Sequence, residues 1–292
     1  MSIRSSLTAV LLALLALPAA AAPLLSVEAV VSPAWVEHAD GSREPVAIGA
    51  VVQEGERVAT GAGGRVLLRM GEGSAVKLGE QAVFALTQLR TETRGAVALW
   101  QGSLDVVRGA FRYTTARLAG VTAERNLDIR VNTLVAGIRG TDVWGKSNAA
   151  KDLVLLIEGR ITVSHAGQRL TLDQPRTAIV APRDGSTAPA LRISTSELAT
   201  LAAETEILAG VGGAVSGGRS RVVVITTVDE TYARDLHARL RTAGYPAELR
   251  TIEQEGSPLF QTYIAHLTGE REARAVAQRL RKLGYTEARP AR

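Results

Sequence analysis

Between residues 24 and 181 the chain carries short apolar runs broken by glycine, asparagine or aspartate, and nowhere does the pattern settle into a helical period. Residues 65–70, 75–78, 83–86, 97–100 and 127–131 recur about every ten residues, which is the spacing of strands in an all-β sandwich, barrel or solenoid. Residues 182–189 are rich in turn formers, so the β region is expected to end near 185. Leu198, Leu201, Ala202 and Ile207 to Leu208 then suit a short amphipathic helix over 196–208, opened by a cap among Ser194 to Ser196. Five glycines in the nine residues 210–218 predict a flexible tether.

The last stretch repeats itself. The segment Arg239-Leu240-Arg241-Thr242-Ala243-Gly244-Tyr245 returns 40 residues later as Arg279-Leu280-Arg281-Lys282-Leu283-Gly284-Tyr285. Each half is a β-branched strand followed by a helix. Asp229 caps the first helix, whose stripe is Ala233, Leu236 and Leu240. Thr268 caps the second, with Ala273, Val276, Leu280 and Leu283 as its stripe. Gly244 and Gly284 end the two helices. With a short extended piece after each helix the order is βαββαβ, an α+β unit with a four-stranded antiparallel sheet.

The N-terminus changes the compartment. Arg4 precedes an apolar run from Ala9 to Leu17 that is too short to span a bilayer, and Ala19 and Ala21 give the small-x-small pattern of a signal peptidase site. Residues 1–21 are therefore expected to be a cleaved signal peptide, with no transmembrane segment left afterwards and a periplasmic location in a Gram-negative bacterium. The chain has no cysteine, which removes disulfides, thiol catalysis and cysteine-bound metal. A net charge of +5 with only four lysines among 34 basic residues implies weak attraction to envelope polyanions and no nucleic-acid partner.

No enzyme is expected. His38, His165, His237 and His266 are scattered without metal-ligand spacing, and no hydrolase elbow or S-x-x-K nucleophile occurs. Neither a metal nor another cofactor is implied. Arg139 and Asp142, framed by Gly137 and Gly140, leave two readings open: side chains that pair or bond nearby backbone to fix a tight turn, or a docking surface for a partner.

Two resemblances sharpen these expectations. The motifs Gly55-Glu56-Arg57-Val58-Ala59-Thr60-Gly61, Trp100-Gln101-Gly102-Ser103-Leu104 and above all 131–143, VNTLVAGIRGTDV, resemble the FecR domain. That implies a periplasmic β module that binds a protein or envelope ligand, with Arg139 and Asp142 as candidates for partner contact. The cytoplasmic anti-sigma segment and membrane helix of the family are replaced here by the signal, so direct control of a sigma factor is not expected. The duplicated βαβ, with helices ending in Gly-Tyr, resembles the SPOR domain. This implies a ferredoxin-like fold and binding of denuded septal peptidoglycan glycan strands on the open sheet, through Thr226, Thr227, Gln261, Tyr263 and His266. The expected chain is thus multidomain: a signal peptide to 21, a FecR-like all-β domain over 22–185, a linker over 186–218 and a SPOR-like domain over 219–292. A protein-interaction or envelope-signalling module without glycan binding is the alternative.

Overall fold

A computed structural model describes residues 24–94, 97–116, 123–184, 186 and 189–292, so the predicted signal peptide lies outside the described residues. The first strands are β1 (Leu25–Val31), β2 (Ala34–Glu37), β3 (Arg43–Pro45), β4 (Arg57–Thr60), β5 (Arg65–Met70), β6 (Ala75–Leu78), β7 (Val83–Arg94) and β8 (Val97–Thr114). They are followed by β9 (Ala123–Val131), β10 (Leu134–Ile138), β11 (Asp142–Ser147), β12 (Lys151–Glu158), β13 (Ile161–His165), β14 (Gln168–Leu172), β15 (Thr177–Pro182) and β16 (Leu191–Arg192). These strands form a sandwich. One sheet runs β3-β2-β4-β7-β8-β9-β10-β13-β14, and the other β16-β15-β12-β11-β8-β6-β5-β1.

Strand alternation puts every second side chain between the layers. Leu104, Val106, Leu127, Ile129, Leu134, Ala136, Ile138, Ile161 and Val163 face inward from the first sheet and meet Leu25, Val66, Leu68, Leu78, Phe111, Tyr113, Val143 and Val154. Each such fully buried large side chain is worth about 1.5–3 kcal/mol.

The 18-residue β8 belongs to both sheets. Up to Arg108 it pairs β7, and from Gly109 onward it pairs β11. The switch requires glycine, because Gly109 sits at φ +84° and a Cβ there would stand 2.4 Å from the Ala82 Cα. The outer face of the second sheet is covered by α1 (Thr195–Ala203), whose Leu198 and Leu201 pack with Ile193 over Ala110, Trp144, Leu155 and Ala178. This helix is shorter than the expected 196–208. It is opened by a capping box between Ser194 and Glu197, and the chain leaves it so that Glu204 and Glu206 reach Lys146 and Lys77 at 2.7 and 2.6 Å. The β domain therefore does not end at 185, since β16 still pairs β15 and α1 completes a second small core.

The predicted tether is instead built into the fold. β17 (Gly213–Val215) pairs β1 with Val31 opposite Gly213, and Ala214 pairs Leu267. Glu272, buried at 6% exposure, accepts from the backbone amides of Gly212 and Gly213 at 2.6 and 3.1 Å and from that of Gly210. The glycines serve close approach here: a Cβ at Gly212 would meet Val276 at 2.7 Å.

Beyond β17 come β18 (Ser220–Thr227), α2 (Glu230–Thr242), β19 (Ala247–Gln254), β20 (Ser257–Leu267), α3 (Glu270–Lys282) and β21 (Arg289–Ala291). The strands lie in the order β21-β18-β20-β19, all antiparallel. α2 buries Ala233, Leu236 and Leu240, with Asp229 accepting from the Tyr232 amide. α3 departs from expectation at both ends: its cap is Gly269 without a side-chain bond, and Leu283 is exposed.

The helical side of this unit docks on the sandwich. The Trp35 indole N–H donates to the Thr242 carbonyl at 3.0 Å, the Ala34 amide to the Gly244 carbonyl at 3.1 Å, and the Arg279 guanidinium to the carbonyls of Ser32 and Val211.

Burial pushes the Glu272 carboxyl up, but the three glycine amides outweigh it and hold the group below the usual carboxylate range. Its stabilisation is therefore present at neutral pH and lost as pH falls through that lowered value. Glu272→Gln is expected to cost about 2 kcal/mol at neutral pH, checked by denaturant unfolding, with the difference from wild type shrinking in acid. Gly109→Ala should cost about 3 kcal/mol or more, seen as a fall in Tm.

Candidate functional site

The residues singled out in the sequence separate into three places. Asp142, at the start of β11, receives a bidentate fork from Arg112, with Nε to Oδ1 at 2.9 Å and Nη2 to Oδ2 at 2.7 Å. Arg112 also reaches Glu206 at 3.0 Å, and Lys77 holds the same carboxylate. The expected pairing of Arg139 with Asp142 is therefore corrected. Asp142 is spent on a partly buried network that ties α1's exit to the second sheet, because β8 lays Arg112 beside it across the ladder. Hydrogen bonding to Asp142 raises the Arg112 pKa against the opposing effect of burial.

Arg139 lies elsewhere, at the exit of β10 on the first sheet. The hairpin leading into β10 turns through Asn132 at φ +49°. The buried Asp152 fixes that turn, accepting from the Thr133 hydroxyl at 2.7 Å and amide at 3.2 Å and from the Asn132 amide group at 3.2 Å. Past the hairpin, Leu134, Ala136 and Ile138 point inward, leaving Val135, Gly137 and Arg139 outside. Together with Asn126 and Asp128 of β9, Thr162 and Ser164 of β13, Arg160, and Arg169 of β14, they line an open trough of about 730 Å³.

The third place is the C-terminal sheet. A two-residue turn at Glu255-Gly256, both at positive φ, fixes the register of β19 on β20. That register sets Arg250 opposite Gln261 and Glu248 opposite Tyr263. The Arg250 guanidinium donates to Gln261 Oε1 at 3.0 and 2.6 Å, the Gln261 amide donates to the Thr226 hydroxyl at 3.1 Å, and the Tyr263 hydroxyl donates to Glu248 at 2.6 Å. Arg250 also stands 5.0 Å over the Tyr263 ring. The Glu248 hydrogen bond, with burial, raises the Tyr263 pKa. Thr226, Gln261 and Tyr263 are thus brought together. Thr227 is not: it pairs Phe260, on the opposite face from Gln261, and its hydroxyl accepts from the Asp229 amide at the α2 cap. His266 is also apart, exposed at φ +62° near the end of β20.

Sequence reasoning missed Arg250 and Glu248, although counting outward from the Glu255-Gly256 turn would have placed both. It also missed Arg160 and Arg169, which only the β10–β13–β14 register brings beside Arg139. Among the described residues no group of three or more His, Asp or Glu side chains is placed to hold a metal ion.

The sandwich, with its exposed polar sheet face, has one family match: residues 56–162 match the family described as FecR protein. Two crystal structures of a candidate anti-sigma factor from Parabacteroides distasonis ATCC 8503, at 1.65 and 2.50 Å resolution, are 12% and 13% identical to this chain. They cover 70% and 78% of it and 97% and 90% of their own chains, with TM-scores of 0.37 and 0.38. No curated protein matches the chain.

Asp142→Ala should lower stability by about 2 kcal/mol in denaturant titrations, since it removes the bidentate acceptor of the partly buried Arg112 and leaves it Glu206 alone. His38 Nδ1 donates to the Glu56 carboxylate at 2.6 Å, and His38 Nε2 lies 3.3 Å from Glu44, which in turn faces Arg241 of α2 at 3.5 Å. The Glu56 hydrogen bond raises the His38 pKa above its ordinary value. The resulting stability is complete below about pH 6.5 and fades as pH rises through the raised value. The Tm gap between wild type and His38→Gln should therefore close as buffers are taken from pH 5.5 to pH 8.5.

Proposed function

We propose that the protein is a non-catalytic, exported module of envelope signalling, in which the FecR domain receives a protein or envelope ligand and the C-terminal unit holds that domain in place. The observation that carries this reading is the continuous ladder β5-β1-β17-β20, which joins the FecR domain to the C-terminal sheet through backbone hydrogen bonds. A ligand event on one domain is then transmitted to the other without crossing a flexible linker. A binding role is favoured by the polar and charged side chains that, among the described residues, collect on open sheet faces.

The βαββαβ order, the sheet order β21-β18-β20-β19 and the Thr226–Gln261–Arg250 row favour a ferredoxin-like, SPOR-type unit, with glycan strands as its ligand. Tyr263 would offer a ring face, and Thr226 and Arg250 would offer polar groups to sugar hydroxyls. Gln261 supports the row from beneath, being only 7% exposed.

Full-length protein should pellet with amidase-treated sacculi, and Tyr263→Ala with Arg250→Ala should reduce the bound fraction severalfold. A wild type that stays in the supernatant removes glycan and leaves the signalling reading. For signalling itself, deletion of the gene is expected to alter transcription of a defined set of envelope genes, restored by wild type and not by a folded Glu272→Ala protein. An unchanged transcriptome after deletion would sink that reading.

A further inference from the structure

We propose that the trough on the outer face of β9, β10, β13 and β14 is a docking site for an extended acidic peptide segment of a protein partner. The proposal rests on reading the FecR domain as a partner-binding module and supplies the chemistry of the partner.

Three exposed guanidiniums, Arg139, Arg160 and Arg169, rim the trough. Among the described residues none of the three has an ion-pair partner, whereas Arg69, Arg112 and Arg125 of the same domain are all paired. Against them stands one carboxylate, Asp128. The remaining polar lining is neutral: Asn126, Thr162 and Ser164. The net charge of the rim therefore favours an anion, and planar guanidinium forks match carboxylates in a bidentate way.

The arrangement is held from below. Alternation anchors each trough residue beside a core neighbour: Arg139 beside Ile138, Arg160 beside Ile161 and Asp128 between Leu127 and Ile129. Gly137, between Asp128 and Thr162 across the ladder, leaves the floor low at the centre. Arg139 and Arg160 flank the last β10–β13 pair, Ile138 with Ile161, whereas Arg169 pairs Ser164 four residues along from Arg160. That separation is about 13 Å along the strands. A chain lying along the strands in extended form has the same rise, so acidic side chains four residues apart reach both ends.

Two features select a peptide over a sulfated or phosphorylated glycan. Asp128, exposed in the middle of the trough, repels a uniformly polyanionic chain, whereas a peptide main chain supplies N–H groups to it between its acidic side chains. No aromatic residue lines the trough, so the stacking surface on which sugar rings depend is missing there.

The test uses full-length protein and fluorescein-labelled hexaglutamate, read by fluorescence anisotropy at low salt. Wild type should bind it and not hexaglutamine. The triple variant Arg139→Ala, Arg160→Ala, Arg169→Ala, with an unchanged circular dichroism melt, should bind at least tenfold more weakly. Arg234→Ala with Arg274→Ala, which removes two exposed arginines of α2 and α3, should leave affinity unchanged. Asp128→Ala should weaken binding severalfold through loss of the main-chain contact. An equal loss in the α2/α3 variant would reduce the effect to general charge and overturn the site. Tighter binding by Asp128→Ala, or displacement of the probe by a heparin fragment at lower concentration than by unlabelled hexaglutamate, would overturn the peptide assignment in favour of a polyanionic glycan. None of these readouts depends on transcription, so failure here is separable from failure of the signalling reading.

Discussion

A buried carboxylate surrounded by three backbone amides ties the C-terminal unit to the strand that joins it to the sandwich. Glu272 lies on the first turn of α3, yet its partners, Gly210, Gly212 and Gly213, belong to the segment that becomes β17. Without those bonds an anion would sit at 6% exposure with only the charge of Arg271 to offset its desolvation. With them, the glycine segment is drawn against α3 and β17 is presented to β1. The Arg279 guanidinium, about two turns along the same helix, completes the seam by donating to the carbonyls of Ser32 and Val211. A short glycine-rich stretch thus behaves as a splice between two sheets.

The two outer faces of the sandwich have different fates, and the contrast decides which of them keeps its charged groups exposed. The second sheet is roofed by α1, which shelters Trp144 and Leu155 and is itself held by ion pairs from Glu204 and Glu206. On the first sheet, the outer residues of β9, β10 and β13 are polar or glycine apart from Val135, and they face solvent. The charges on the covered side are consumed in pairing, as with Arg112 and Asp142. On the bare side Arg130 pairs with Asp105, while Arg139, Arg160 and Arg169 are left available.

Much of the strand content was legible because alternation is a local signal. The segments 65–70 and 75–78 coincide with β5 and β6, and the helix over Glu230–Thr242 follows from Asp229, the stripe Ala233, Leu236, Leu240, and Gly244. What stayed hidden was set by pairs far apart in sequence. The transfer of β8 between sheets at Gly109 depends on Ala82 lying beneath it, and the partner of Asp142 lies 30 residues away. The glycines at 210–213 look like slack until Glu272, about 60 residues on, supplies acceptors for their amides. Composition reported flexibility where the tertiary structure demanded closeness. At the candidate site, Gln261 and Tyr263 were visible as polar strand residues, but their ties to Arg250 and Glu248 follow from hairpin register.

The three tryptophans of the chain are placed so that separate events would have separate optical signatures. Trp144 is fully enclosed between the second sheet and α1, and Trp100 is sealed by the first sheet at 7% exposure. Trp35 sits at the seam, its indole bonded to Thr242, its ring against Gly244 and the Arg43 guanidinium 4.0 Å above it. Parting the C-terminal unit from the sandwich would wet this one indole and leave the other two dry. With Trp100 and Trp144 replaced by phenylalanine, the emission of Trp35 would then follow the seam alone, giving the molecule an intrinsic gauge of whether its two sheets are still joined.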